Sequence, residues 1–379
     1  MTPSAMQLRR ALLTAGRGPD EGSLRDVAST QRLVVDDDTI TTYAAELTAE
    51  LRGFGPLQPF LADPAITDIA VNGASEVWVD RGDGMFLTPV QFADDFAVRK
   101  LAQRLAVSCA RRLDDASPYV DAALSDGIRL HAMLPPLVDR VSVAIRIPRH
   151  RSWGLEQLVA VGMITAEAEC LLRDLIQQRR AFLVTGGTGS GKTTLLNALL
   201  STVSSAERLI LVEDTRELAP VHPHVVRLQT RAPNIEGAGG VTLQHLVRQT
   251  LRMRPDRLVV GEVRGAEVID LLTAFNTGHQ GGCGTVHANS ATDVVPRLEA
   301  LGGLGGLGRS GINRLIRSAL DAVVHLERDS CGRRRLAAVA ALVPDGDYVR
   351  AETAFTFAVD GSMSAGPAAA RWHAMATPS

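Results

Sequence analysis

From residue 186 to residue 193 the chain reads G-G-T-G-S-G-K-T, with the apolar run F-L-V just before it and the helix-forming run T-L-L-N-A-L-L just after. No other segment restricts the fold as tightly. A glycine-rich turn from strand to helix, closed by Gly-Lys-Thr, curls the backbone so that successive N–H groups face phosphate oxygens at the positive end of the helix. Gly186, Gly187, Thr188, Gly189, Ser190, Gly191, Lys192, Thr193 and Thr194 are therefore expected to hold ATP. Lys192 is expected to reach the β- and γ-phosphates, and the Thr193 hydroxyl to ligate Mg²⁺.

At 379 residues the chain exceeds one ordinary domain. Residues 1–40 are polar and turn-rich, a lead-in expected to be partly disordered. From 41 to 148, short alternating runs (ITDIAVNG, EVWVDRGDG, VSVAIRIP) are divided by Asn-Gly and Asp-Gly turn signals and interrupted by one helical stretch. That pattern predicts a small α+β domain with a mainly antiparallel sheet. Polar, Pro- and Gly-bearing text marks a linker over 149–160. Residues 161–345 alternate helical stretches with β-branched runs such as RLILVED and RLVVGE, which predicts an α/β domain around a parallel central sheet. LGGLGGLGRSG reads as a flexible connection, and the Ala-rich 346–379 as a poorly ordered tail.

Forty basic against 42 acidic residues leave a net charge of -2, so the balance offers no sign of a polyanionic partner, and no nucleic acid is expected. Cys109, Cys170, Cys283 and Cys331 are far apart with no C-x-x-C pair, which argues against a zinc site and fits reduced thiols. No apolar run approaches the roughly 18 residues of a spanning helix, so a soluble, cytoplasmic protein is expected.

A phosphate loop alone does not separate a kinase from a motor; the acidic residues narrow the choice. Glu262, in RLVVGEVRG, follows four strand residues at the edge where open parallel sheets place their chemistry, and its carboxylate can orient or deprotonate water. Glu213 and Asp214, in LILVEDTREL, end another strand, where one can hold Mg²⁺ and the other share the base role. NTGHQGGCGTVHANS carries His279 and His287; the second can donate to a γ-phosphate or simply pack. Arg248, Arg252, Arg254 and Arg257 form a basic run, and Arg129, Arg146 and Arg149 lie in the first domain. Such arginines are a solvated face or charge offered to a transferring phosphoryl group.

Taken in order, GGTGSGKTT, VEDTREL, LRMRPDRLVVGEVRGAE and NTGHQGGCGTVHANS resemble the four nucleotide-site boxes of the type II/type IV secretion ATPases. GFGPLQPFLADPAITDIAVNG and DGIRLHAMLPPL look like the first domain of the branch serving Tad/Flp pili and conjugation-type systems. The resemblance covers about residues 45 to 345. It implies a RecA-like ATPase domain joined by a linker to an amino-terminal domain, six copies in a ring, and ATP held at the domain interface. It further implies inner-membrane pilus or secretion proteins as partners, with the ring peripheral at the inner face of the membrane. By position, Glu213 and Asp214 form the aspartate box, Glu262 is the catalytic glutamate, His279 and His287 form the histidine box, and Arg129 and Arg146, with Arg140 as alternate, supply inter-domain charge. Three departures stand out: no cysteine-pair zinc module, GGCG in the histidine box, and LGGLGGLG in place of a longer helical connection. Two other readings of the same chemistry are a RecA-type nucleic-acid motor and a nucleotide-gated assembly scaffold without turnover. The 4% aromatic content gives little for bases to stack on, and the full acidic set favours turnover over the scaffold.

Overall fold

The computed structural model describes residues 12, 14–15, 19–30, 37–51, 53–82, 84–124, 127–148, 153–233, 236–278, 281–329 and 331–376. The chain divides into two compact units, residues 1–149 and 150–379.

In the first unit, α1 (Glu21–Thr30) and α2 (Asp37–Leu51) share a small apolar core of Leu24, Val27, Ala28, Ile40, Tyr43, Ala44 and Leu47. The lead-in expected over 1–40 thus holds an ordered helix. Leu24, Val27 and Ala28 recur at helical spacing and give α1 an apolar stripe that needs a partner. Six antiparallel strands follow, β1 (Asp68–Asn72), β2 (Val77–Asp80), β3 (Met85–Leu87), β4 (Tyr119–Ala123), β5 (Arg129–Met133) and β6 (Ser142–Arg146), in the order β3-β2-β1-β6-β5-β4. Alternation puts Ile69, Val71, Leu130, Ala132, Val143 and Ile145 on one face. Against it lie Val98, Leu101, Ala102 and Leu105 of α3 (Asp95–Ser108), whose first turn is capped by Asp94 accepting from Ala97 N at 2.7 Å.

The second unit opens with α4 (Leu155–Ala160) and α5 (Ala166–Gln177). It continues with β7 (Phe182–Gly186), α6 (Lys192–Leu200), β8 (Leu209–Glu213), β9 (Val225–Gln229), α7 (Leu243–Thr250), β10 (Arg257–Val263), α8 (Glu267–Asn276) and β11 (Cys283–Val286). Then come α9 (Val294–Leu304), α10 (Arg309–Ala319), β12 (Ala322–Arg328), β13 (Arg334–Asp345), β14 (Tyr348–Phe357), β15 (Met363–Ala365) and α11 (Ala369–Ala376). Nine strands form one sheet, β15-β14-β13-β12-β7-β11-β10-β8-β9. The six from β12 to β9 are parallel. Every residue of β7 and β8 is buried, as a parallel sheet covered on both faces requires. Phe182, Val184, Leu209 and Leu211 face one apolar layer with α5 and α6, while Leu183, Ile210 and Val212 face the other with α7 and α8.

Three expectations from the sequence need correction here. Residues 149–152 of the predicted linker lie outside the described residues, and residues 155–160 are helix α4, whose Leu155 and Leu158 are buried in this unit's core. The run from Leu301 to Gly311 is not a flexible connection but the end of α9, a turn, and the start of α10. Gly302 is the contact point, since a methyl group there would lie 2.9 Å from Ile312 Cγ1, so glycine lets the two helices approach. The segment 346–379 holds β14, β15 and α11, which extend the sheet antiparallel to β13 and bury Phe355, Phe357 and Trp372. Two of its alanines, Ala351 and Ala354, are buried in β14. Among the described residues no helix is long and apolar enough to cross a membrane.

Candidate active site

Because β7, β11, β10 and β8 are parallel neighbours, their carboxyl ends share one edge of the sheet, and the loops leaving them converge. The phosphate loop leaves β7. A methyl group on Gly186 would sit 2.2 Å from Leu326 O, and one on Gly191, which has φ +96°, would sit 2.6 Å from Met163 Cε. Only glycine permits the loop to lie so close to its walls. Lys192 bends back into the loop and donates from Nζ to Gly186 O at 2.9 Å and to Gly187 O at 2.8 Å. Loss of water around this ammonium lowers its pKa; the Glu262 and Glu217 carboxylates act in the opposite sense. Ser190 is buried with its Oγ unpartnered, a donor aimed within the loop.

Glu262, near the end of β10, is half-buried between two bases: its Oε1 lies 3.0 Å from His287 Nε2 and its Oε2 lies 2.5 Å from Arg264 Nη2. Burial pushes its carboxyl up, but the hydrogen bond and charge of Arg264, with His287 and Lys192, outweigh it and leave the pKa below the ordinary value. His287 follows β11 directly; partial burial, and next the charge of Lys192, lower its pKa, so the imidazole is neutral at neutral pH. The glycines of GGCG have a packing reason. A methyl group on Gly282 would strike the Phe275 ring at 2.1 Å, and one on Gly284 would lie 2.8 Å from Val260 O. Thr285 Oγ1 then ties β11 to β10 by donating to Gly261 O at 2.6 Å.

Glu213 and Asp214 part company. Glu213 is buried, and its Oε1 accepts from Glu217 N and Leu218 N, both at 2.9 Å, while Oε2 has no partner. Burial raises its pKa to about 7, against the two N–H bonds that pull it down. Such a carboxyl shapes the loop after β8 rather than facing solvent. Asp214 is exposed, and the acid brought to Thr193 is Glu217, whose Oε2 accepts from Thr193 Oγ1 at 3.4 Å. Glu217 and Arg264 are the residues that sequence reasoning passed over. Both stood in the quoted boxes, Glu217 four residues beyond Glu213 and Arg264 two beyond Glu262, each just past the end of its strand. Hard oxygen donors at Thr193 and Glu217 fit Mg²⁺. Among the described residues no three His, Cys, Asp or Glu side chains form a cage for a metal.

Among the remaining candidates, His279 and Arg149 lie outside the described residues. Arg257 belongs to the core rather than to a basic face: it is 1% exposed, donates to Ile176 O at 2.7 Å and pairs with Glu207 at 2.8 Å. Arg248 pairs with Asp270 on the surface. Within the first unit Arg129 and Arg146 stand directly opposite each other across β5 and β6. On its other side Arg146 stands opposite Asp68 of β1.

Compared with known proteins, the chain matches the family described as Type II/IV secretion system protein over residues 50–361. It is 48% identical over 327 residues to a protein of Mycobacterium tuberculosis named for conjugal transfer, covering 84% of this chain and 93% of that one. The type IV secretion system protein VirB11 of Brucella suis is 32% identical over 334 residues, 79% of this chain and 91% of its own. Among solved structures, the pilus retraction motor PilT with bound ADP superposes with a TM-score of 0.55 at 21% identity, over 76% of this chain and 82% of that one; this similarity concerns the fold.

Proposed function

From the premise that the chain belongs to the type II/IV secretion system protein family, we propose that it is an ATP hydrolase that works as a homohexameric ring and drives a conjugation-type or Tad/Flp pilus-like assembly. ATP and water give ADP and phosphate. The observation that most supports this reading is the Glu262 carboxylate, held by His287 and Arg264 and kept ionised, at the same sheet edge as Lys192 and Thr193. An ionised carboxylate fixed on both oxygens is suited to orient a water and to take its proton as the bond to the γ-phosphorus forms. Lys192, released from Gly186 O and Gly187 O, offsets charge on the phosphate oxygens, and His287 senses the γ-phosphate by hydrogen bonding. Thr193 and Glu217 would hold Mg²⁺, whose charge would offset that of the β- and γ-phosphate oxygens. Glu213 acts by holding Glu217 in place rather than as the base. Arg129 and Arg146, by their place in the family's first domain, are assigned to supply positive charge to the phosphates.

The relatives named for conjugal transfer and type IV secretion support the cargo-side role; inner-membrane proteins of such a system as partners, and a ring at the cytoplasmic face, complete the proposal. The nucleic-acid motor requires stacking aromatics in a basic groove, and the near-neutral, aromatic-poor chain supports it poorly. Steady-state phosphate release, with and without single-stranded DNA, tests all three readings. Turnover that is indifferent to DNA and lost in Glu262→Gln supports the secretion ATPase, stimulation by DNA favours the nucleic-acid motor, and no turnover favours the scaffold. Native mass with a non-hydrolysable ATP analogue tests the hexamer.

A further inference from the structure

The phosphate loop has two flanks. On one, reached through β11, stand β10 and β8 with Glu262 and Glu217; on the other, β12 pairs directly with β7, Leu326 opposite Gly186. Two residues past that point β12 ends at Arg328, and the hairpin returns as β13 with Arg334 directly opposite Arg328. Four hairpin arginines fall into two classes. Arg333 pairs with Asp329 at 2.8 Å, and Arg335 pairs with Glu327 on the reverse face. Among the described residues Arg328 donates to a backbone carbonyl, Gly332 O at 3.1 Å, and neither Arg328 nor Arg334 meets a carboxylate. Both lean on the phosphate loop. Arg328 Nη1 lies 3.8 Å from where a methyl group on Gly189 would stand, and Arg334 Cδ lies 3.4 Å from the same position on Gly191. Arg334 is exposed as a residue, yet loss of water around its guanidinium, and next the charge of Arg328, lower its pKa. Two like charges in direct cross-strand register cost the hairpin stability. Such a cost is offset when both guanidiniums share an anion, since each can bind phosphate with two parallel N–H groups.

We infer that Arg328 and Arg334 are positioning residues that clamp the α,β-diphosphate of the bound nucleotide from the β12 side, opposite the flank where Glu262 meets the γ-phosphate. This rests on the nucleotide-binding reading above. It adds a polarity: the terminal phosphate points toward β10, and the part of the nucleotide shared by ATP and ADP points toward the hairpin.

Fluorescent ADP binding, with ADP, ATP and inorganic pyrophosphate as competitors, tests the clamp on the full chain. In Arg328→Gln/Arg334→Gln the affinities for ADP, ATP and pyrophosphate are expected to fall together, each by at least about tenfold, as loss of charge-assisted bonds implies. Melting of the ligand-free variant is expected to hold or rise, because the like-charge pair is gone; a purely structural role would lower it. Unchanged pyrophosphate affinity overturns the clamp, and so does a loss confined to ATP, which would move the arginines to the γ-phosphate. If the double variant does not fold, Arg334→Lys carries the same test: it keeps the charge but loses the planar fork, so a weakened pyrophosphate affinity supports the clamp and an unaltered one refutes it. Should the wild-type chain bind no nucleotide at all, the nucleotide-binding reading itself falls and takes the clamp with it; binding by wild type and variant alike removes the clamp alone.

Discussion

Glu213→Gln is the substitution from which the structure extracts the most. The carboxyl accepts two backbone N–H groups on Oε1, leaves Oε2 buried and unpartnered, and has its pKa raised by burial from 4.5 to about 7. In the folded chain it therefore keeps its proton between pH 4.5 and about 7, where the unfolded chain has released it. Folding takes up a proton in that window, so the stability this group lends is complete below pH 4.5 and is lost as pH rises through about 7. At 1.36 kcal/mol per pKa unit the loss amounts to about 3 kcal/mol at most. Glutamine keeps the acceptor for Glu217 N and Leu218 N and carries no charge, so the variant's stability relative to wild type should be about 2–3 kcal/mol greater at pH 8 than at pH 5. In a unit of this size that difference corresponds to a melting temperature higher by roughly 6–12 °C. Calorimetry of both proteins at pH 5, 6, 7 and 8 checks it, the informative quantity being the difference between them at each pH. Identical pH dependence in the two would mean that Glu213 is ionised and hydrated in the folded chain, and the reasoning from burial would be wrong.

Four further outcomes follow from the same geometry. Glu262→Gln should lower steady-state phosphate release by roughly 10²- to 10⁴-fold, the usual worth of a general base, while fluorescent ATP still binds. Lys192→Ala should abolish measurable nucleotide binding in the same fluorescence assay, with the far-UV circular dichroism of the fold retained. Arg257→Ala leaves Glu207 with the more exposed Arg179 as its remaining ion-pair partner and Ile176 O without its donor, and urea unfolding should register a loss of about 1–3 kcal/mol. Arg129→Ala should reduce turnover more than nucleotide affinity; a change in melting temperature alone would remove this arginine from the chemistry.

How much of this was legible in the residues depended on range. The phosphate loop was, because its chemistry is local: one octapeptide between a strand and a helix sets the turn, the donors and the lysine. Glu262 and His287 were legible as strand-end residues, since a parallel sheet brings such ends together whatever the loops do. Glu217 was hidden by its neighbour. In LILVEDTREL the strand ends at Glu213, but which acid reaches Thr193 depends on how the next four residues coil, and that is set by the two N–H bonds to Glu213. The region after residue 345 was misjudged because alanine and small polar residues signal weak local preference, whereas here they fill a strand held by β13 and covered by Trp372. The opposed pair Arg328 and Arg334 was beyond reach, since the β12–β13 pairing shifts register between His325 and Leu326.

Lys192 gripping its own loop has one more consequence. An incoming phosphate does not find the ammonium idle; it must displace two carbonyls already in place, so the lysine's contribution to affinity is a difference between two sets of partners rather than a clear gain. When the phosphate leaves, those carbonyls are there to take the ammonium back. A contact kept in reserve in this way lowers the net gain from each phosphate oxygen the ammonium meets.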